Sequence, residues 1–253
     1  MNRVEDRLTS LELKHNVKIL YACEAGSRAY GLATESSDFD IRFIYIAPLK
    51  DYLSLRKKED TISNQDDMFD IQGWDLKKAL LLAGKSNPSL YEWMLSPIVY
   101  RELDVAMLTL IDIILKDYSR KVLAFHYANM AKNNLHAWRK KNVASHLVHA
   151  VRASLMLEQV IHNEEFATIE LQHLIKNSNT FTNKELSLLF SLKTGEEVTD
   201  IPLISQLFAK VSNFITASEE LMVYLEEGKV KLSVLEEFFF QQLGIEGEWD
   251  HKS

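Results

Sequence analysis

Near residue 100 the chain changes texture. Before that point strand-like runs dominate: Val17 to Cys23 is apolar enough for a buried strand, Phe39 to Ala47 forms a second apolar run, and Met68 to Trp74 alternates with a two-residue period. After it no alternating run appears, and no proline stands between Pro97 and Pro202. Long helical segments therefore fit at about 104–117, 119–138, 142–163, 168–177, 183–193, 203–227 and 230–243. The expected fold is α+β, a strand-bearing region in residues 1–100 followed by an all-helical region in residues 101–253.

Local signals refine the first part. Val4, Leu8, Leu11 and Leu13 among charges suit a short amphipathic helix over 2–14. Gly26 to Ser37 reads as a turn with a helical twist around Arg28 to Tyr30, and Pro48 closes the second strand. A weak hairpin strand is expected near Thr61 to Ser63. Asp75 is placed to accept from orphan N–H groups at the head of a helix starting at Leu76, which stops before Asn87-Pro88. Ser89 is expected to cap a further short helix through Glu92 and Trp93, ended by Pro97.

A net charge of -7 argues against a broad, sequence-blind nucleic-acid binder, which needs clustered cations. The single cysteine, Cys23, excludes an internal disulfide framework, suits a reducing cytoplasm and reads as a core residue of the first strand. No signal peptide or membrane span is expected, so the reading is a cytoplasmic protein without a membrane partner.

The chemistry concentrates in residues 21–46. Asp38 and Asp40, at i and i+2, share one face of a strand, where like charges repel unless one takes a proton or a cation sits between them. Asp70 lies on another alternating strand, and an antiparallel or mixed pairing brings all three within metal-ligand reach. Three carboxylates around two Mg²⁺ ions are suited to phosphoryl or nucleotidyl transfer, with Mn²⁺ able to replace Mg²⁺. Upstream, Gly26 lets the backbone approach a triphosphate and Ser27 offers a hydroxyl to it. Alone, the acidic pair fits an exposed strand edge equally well.

Gly26-Ser27, ten intervening residues and Asp38-Phe39-Asp40 resemble the signature of the DNA polymerase β-like nucleotidyltransferase superfamily. The stretch AGSRAYGLATESSDFDIRFIYIAP looks like its YcgL/RlaP-type branch, and the likeness continues through FDIQGWDLKKALLLAGKSNPSLYEWMLSPIVY and, more weakly, FHYANMAKNN. The resemblance implies a small mixed sheet flanked by helices, Gly26 and Ser27 on nucleotide phosphates, Asp38 and Asp40 on two metal ions, and Asp70 as the third carboxylate that activates an acceptor hydroxyl. The expected activity moves an NMP from an NTP donor to an acceptor that is RNA, protein or a small molecule, with release of pyrophosphate. The alternative is a non-catalytic nucleotide- or RNA-binding module, a partner in a toxin–antitoxin or RNA-repair system.

Arg28 is assigned to nucleotide binding, while Arg42, two residues after Asp40, is placed to pair with it. Lys77 and Lys78 stand in a first helical turn, where the dipole disfavours cations, so either an anion or solvent faces them. Between Tyr118 and Arg152 lie seven basic residues, no acid, and His126, His136, His146 and His149. That segment is either an anion site facing the acidic pair or a solvated helix face. His146 and His149 share a helix face, where a core or phosphate contact fits better than zinc.

Overall fold

The computed structural model describes residues 2–56, 58–101, 105–162, 167–194 and 201–245. Its first part runs α1 (Asn2–His15), β1 (Lys18–Glu24), α2 (Gly26–Ala29), β2 (Phe39–Ile46), α3 (Leu49–Tyr52), β3 (Thr61–Gln65), β4 (Phe69–Asp75), α4 (Leu76–Ala83), α5 (Pro88–Met94) and β5 (Val99–Arg101). Helices follow: α6 (Val105–Lys116), α7 (Arg120–Lys141), α8 (Ala144–His162), α9 (Leu171–Lys176), α10 (Asn183–Thr194), α11 (Ile201–Met222) and α12 (Leu232–Gln242). The α+β class is as expected.

The five strands lie in the order β3-β4-β2-β1-β5. β2 and β4 run parallel, and the other pairs are antiparallel, so the sheet is mixed. Alternation assigns its two faces. Ile41, Phe43 and Tyr45 of β2 join Ile71 of β4 and Val4, Leu8 and Leu11 of α1 in one buried cluster. Ile44 and Ile46 point the other way, into a larger cluster that takes in α4–α8 and reaches Phe238 of α12. The helices after residue 100 therefore pack on the face of β2 that also carries Asp40 and Arg42.

Gly73 is fixed by its neighbour across the parallel pair. A Cβ there would stand 2.1 Å from the Phe43 ring, so the glycine leaves the space in which that buried ring lies. Asp75 caps α4 as expected, accepting from the Lys77 N–H at 2.9 Å. Tyr52 donates to the same carboxylate at 2.7 Å.

Two local expectations are corrected. The cap of α5 is Asn87 rather than Ser89: its Oδ1 accepts from the Leu90 N–H at 3.2 Å, and Pro88 takes the first helical position, where no N–H is needed. A fifth strand, Val99–Arg101, was not expected. It is only three residues long and is held from outside its own pattern, by antiparallel pairing with β1 and by Arg101 reaching Glu5 and Glu12 of α1 at 2.6 and 2.7 Å. Among the described residues no helix is long and apolar enough to cross a membrane.

Candidate active site

Parallel pairing of β2 with β4 sets Asp40 directly opposite Asp70 in the register. Successive residues alternate faces, so both carboxylates and the Arg42 side chain stand on the helix-facing side. The Arg42 guanidinium lies between them, 2.7 Å from Asp70 Oδ2 and 3.4 Å from Asp40 Oδ1, and also donates to the Asp70 carbonyl at 2.8 Å. Side-chain exposures of 27% for Asp40, 42% for Asp70 and 16% for Arg42 put the carboxylates at the mouth of the site and the guanidinium deeper. Burial pushes the Asp40 carboxyl above the usual range; Arg42 opposes this, while Asp70 and Asp38 add to it. Asp38, just before β2, is exposed, and its charge still reaches Asp40.

Gly26 closes the other side of Asp40. With φ at +58° it occupies the left-handed region, and a Cβ there would fall 1.9 Å from Asp40 Oδ2. The chain needs glycine twice over at this position, for the dihedral and for the close approach. The carbonyl of Asp40 accepts from the Ala25 N–H at 2.7 Å, which joins the Gly26 turn to β2. Ser27 follows in α2, partly exposed, its hydroxyl without a hydrogen bond among the described residues.

Arg28, the third residue assigned to nucleotide binding, is engaged with the chain just ahead of β2. Its guanidinium donates to the carbonyls of Asp38 and Ser37 at 3.1 and 2.7 Å and stacks 4.0 Å over the Phe39 ring. It braces the loop that delivers Asp38, spending three of its contacts on that task.

Glu24 was missed by sequence reasoning. It ends β1 fully buried, accepts the Asp40 backbone N–H at 2.7 Å and takes a short hydrogen bond from the Tyr100 hydroxyl. Burial raises its carboxyl, partly offset by Tyr100 and the Asp40 N–H. The available signal was an acid at the end of an apolar strand immediately before Ala25-Gly26. Cys23 is fully buried, with burial pushing its thiol up to about 12, as suits a core residue.

A second polar centre lies behind the Gly26 turn. Glu92 of α5 accepts from Tyr30 at 2.7 Å, from Tyr127 of α7 at 3.1 Å and from Arg152 of α8 at 3.2 Å. The Arg152 guanidinium stacks 3.9 Å over the Tyr30 ring, and the Tyr30 carbonyl accepts from the Leu171 N–H of α9 at 3.0 Å. Helices α5, α7, α8 and α9 thus hold the residue that follows α2.

The basic segment 118–152 is mostly consumed by packing. Arg120 donates to the carbonyls of Val160 and Ile161 at the end of α8, at 3.0 and 2.8 Å. Lys121 pairs with Glu227 at 2.7 Å and Lys132 with Glu219 at 2.5 Å, while Arg139 stacks 4.5 Å over Phe208. The first-turn lysines of α4 divide: Lys78 pairs with Asp60 at 2.7 Å, and Lys77 is exposed.

The donor set suits a hard divalent ion. Asp38, Asp40 and Asp70 offer oxygens alone, and their mutual repulsion is only partly offset by one guanidinium. Among the described residues no three such side chains are yet gathered around one point, and Arg42 stands where the Asp40 and Asp70 carboxylates converge.

A mixed sheet with acids on adjacent parallel strands beside a glycine turn, backed by helices, is the arrangement expected of a nucleotidyltransferase-like protein. The family model described as "RlaP: RNA repair pathway DNA polymerase beta family" matches residues 1–241, and the chain belongs to that family. The "Uncharacterized protein YcgL" of Bacillus subtilis (strain 168) is 40% identical over 134 residues, 53% of this chain. The match spans about half, 52%, of that curated relative's length. A nucleotidyltransferase-like protein from Exiguobacterium sibiricum 255-15, known from a crystal structure, aligns over 97% of this chain and 82% of its own at 10% identity and a TM-score of 0.32.

Proposed function

We propose that the chain is a metal-dependent nucleotidyltransferase that moves an NMP from an NTP to a hydroxyl of an RNA end and releases pyrophosphate. The observation that carries this reading is the register of Asp40 against Asp70 on parallel strands, with Gly26 in contact with the Asp40 carboxylate. The choice of RNA rests on the family's description as an RNA repair pathway group.

In this reading Asp38, Asp40 and Asp70 hold two Mg²⁺ ions, with Mn²⁺ able to replace them, and Gly26 and Ser27 hold the nucleotide phosphates. Bound metal supplies charge neutralisation at the reacting phosphate and lowers the pKa of the attacking hydroxyl. Asp70 takes the hydroxyl proton as the oxygen bonds to the α-phosphorus, and the bond from that phosphorus to the bridging oxygen of the β-phosphate breaks. Glu24 and Arg28 position the residues around Asp40: one holds its backbone N–H, the other the loop before it. In this division residues 1–100 carry the chemistry, and the described helices from α6 onward back the sheet face on which Asp40 stands.

One observation favours a second reading. Arg42 bridges Asp40 and Asp70, and a guanidinium fixed there makes the pair a closed ion-pair network in a non-catalytic nucleotide- or RNA-binding module. The two are separated by incubating the protein with Mg²⁺, each α-labelled NTP and total cellular RNA. The enzyme reading expects label on RNA and none with Asp38→Ala/Asp40→Ala. Bound label without transfer favours the module, and transfer that survives the double substitution removes the assigned site.

A further inference from the structure

The acidic pair stands at one end of the sheet, and the other end carries a cleft. Strands β2 and β4 run from Asp40 and Asp70 to Tyr45 and Asp75, so Asp75 lies five residues, about 16 Å, along the strand from Asp70. There a cleft of about 930 Å³ opens between the loop after α3, the start of β3 and the outer side of α4. Its walls are tied together. Lys78 Nζ of α4 reaches Thr61 Oγ1 of β3 at 2.6 Å and Asp60 at 2.7 Å, and Tyr52 of α3 donates to Asp75 at 2.7 Å. Lys77, Leu81 and Leu82 of α4, with Lys85 just beyond it, form one wall. The two outer lysines stand eight residues, about 12 Å of helical rise, apart.

The charges of this cleft do not cancel. Asp51 and Asp60 are paired with Lys58 and Lys78, and Asp75 is taken up by the α4 cap and by Tyr52. Arg56, Lys77 and Lys85 line the cleft, are exposed, and have no side-chain hydrogen bond or ion pair among the described residues. The remaining acid on the described lining is Glu59. Three cations without partners against one acid favour a ligand with several negative charges. Leu81 and Leu82 set apolar surface beside the lysines, which suits a strand of phosphates and bases. A bilayer surface is flat, whereas these cations line a recess.

A polar row joins the cleft to the acidic pair. Ile62 of β3 is buried in the cluster on the α1 side, so Thr61, Ser63 and Gln65 take the opposite face, the one that carries Asp40 and Asp70. The register sets Gln65 opposite Asp70, Ser63 opposite Gln72 and Thr61 opposite Trp74. β3 is the sheet edge, Ser63 and Gln65 are exposed, and Thr61 and Ser63 themselves line the cleft. Polar side chains at two-residue spacing thus lead from Asp70 to the cleft.

We propose that this edge is the path of the acceptor. A single-stranded RNA with its reacting hydroxyl at the Asp40–Asp70 pair runs along Gln65, Ser63 and Thr61, and its phosphodiesters in the cleft pair with Lys77, Lys85 and Arg56. At the 3.4 Å rise of a stacked strand, the cleft lies roughly five nucleotides from the reacting end. Which end of the strand reacts, and where, rests on the nucleotidyl-transfer reading; strand binding in the cleft does not. Lys77, in a first helical turn where the dipole disfavours a cation, then has an anion to face.

The test measures fluorescence anisotropy of a labelled, unstructured oligoribonucleotide of about twelve nucleotides with the full chain and no divalent ion. Lys77→Ala/Lys85→Ala, at two exposed side chains, is expected to weaken binding about tenfold, and to lower the salt slope of log K by about 1.4, the share of two phosphates. Gln65→Glu sets a negative charge on the row outside the cleft and is expected to weaken binding about threefold. Lys141→Ala, an exposed lysine at the far end of α7, is expected to bind as wild type. In labelled transfer the lysine pair is expected to raise KM for RNA with kcat within about twofold. Wild-type affinity in the lysine pair, or an equal loss in Lys141→Ala, overturns the cleft, and wild-type affinity in Gln65→Glu overturns the path. Binding to phosphatidylglycerol vesicles that depends on the lysine pair, with RNA binding unchanged, overturns the proposal in favour of a membrane surface. Strand binding that depends on the lysine pair while the wild type transfers no labelled NMP would count against the transfer reading and leave the strand site standing.

Discussion

Two of the molecule's arginine–carboxylate centres are built differently. At Arg152 one guanidinium meets one carboxylate, Glu92, whose remaining capacity is filled by the Tyr30 and Tyr127 hydroxyls, with side-chain exposures of 5% and 11% for the charged pair. At Arg42 one guanidinium meets two carboxylates that repel each other, a third acts from nearby, and water reaches all of them. The first centre is balanced and buried, so it has one stable arrangement and serves to hold helices against the Gly26 turn. The second is acid-rich and open, which is the condition for admitting a cation. Imbalance, more than the presence of charge, separates a site from a strut.

The largest effect that sharpens this contrast is expected at the strut. Arg152→Met leaves Glu92 charged and buried, and urea unfolding is expected to show a loss of about 3–5 kcal/mol, largely recovered when Glu92→Leu is added. Recovery is the informative part, since a pair kept for packing tolerates replacement by apolar groups. A double variant as unstable as the single would break the comparison.

At the open centre the expected sign reverses. Asp40→Asn should lower nucleotidyl transfer by at least about a hundredfold, while stability stays level or rises by about 0.5–1 kcal/mol. An aspartate raised in the folded state binds its proton more tightly there than when unfolded, so its contribution to stability falls as pH rises from the unfolded value through the folded one. The wild type should lose stability relative to Asp40→Asn as pH rises through that window. Unfolding followed from pH 3 to 7 checks it, and a parallel pair of curves would contradict it.

Gly26→Ala comes next. The added methyl would meet Asp40 Oδ2 and the left-handed dihedral would be strained, so a loss of about 1–3 kcal/mol and of NTP binding is expected, measured by thermal unfolding and nucleotide titration. The smallest effect is at Glu185, in neither centre. Burial raises its carboxyl, but Lys210 and Thr182 overcome this and hold it at about 2. A depressed carboxyl stabilises above its unfolded pKa and loses that contribution as pH falls towards about 2. Glu185→Gln should therefore cost about 1 kcal/mol at pH 7 and little at pH 2.

Legibility followed the range of the interactions. Asp38, Asp40 and Gly26 sit within one stretch, so alternation and the glycine placed them together before any fold was known. Asp70 needed only the matching alternation of its strand; the parallel pairing that sets it against Asp40 is a choice that two periodic runs leave open. Arg42 was read as a partner of Asp40, yet its shorter contact is to Asp70, across the strand pair. Arg28 is assigned to nucleotide binding from its place near Gly26-Ser27, and its stacking on Phe39, eleven positions along the chain, is a contact that no local pattern announces. The Glu92–Arg152–Tyr30 centre joins α5, α8 and the end of α2, with no local pattern to announce it. For the run 118–152 the sequence leaves an anion site and a solvated helix face both open, because the partners of Lys132 and Lys121, Glu219 and Glu227, lie 87 and 106 residues downstream.

The most direct test of the central claim, that the Arg42 centre is an acid-rich opening for divalent metal, is Mn²⁺ binding followed by electron paramagnetic resonance with an NTP present. Two Mn²⁺ ions per chain are expected for the wild type, with Asp40→Asn and Asp70→Asn each abolishing the pair and Arg152→Lys retaining it. Mn²⁺ binding that is unchanged by both aspartate substitutions would contradict the account.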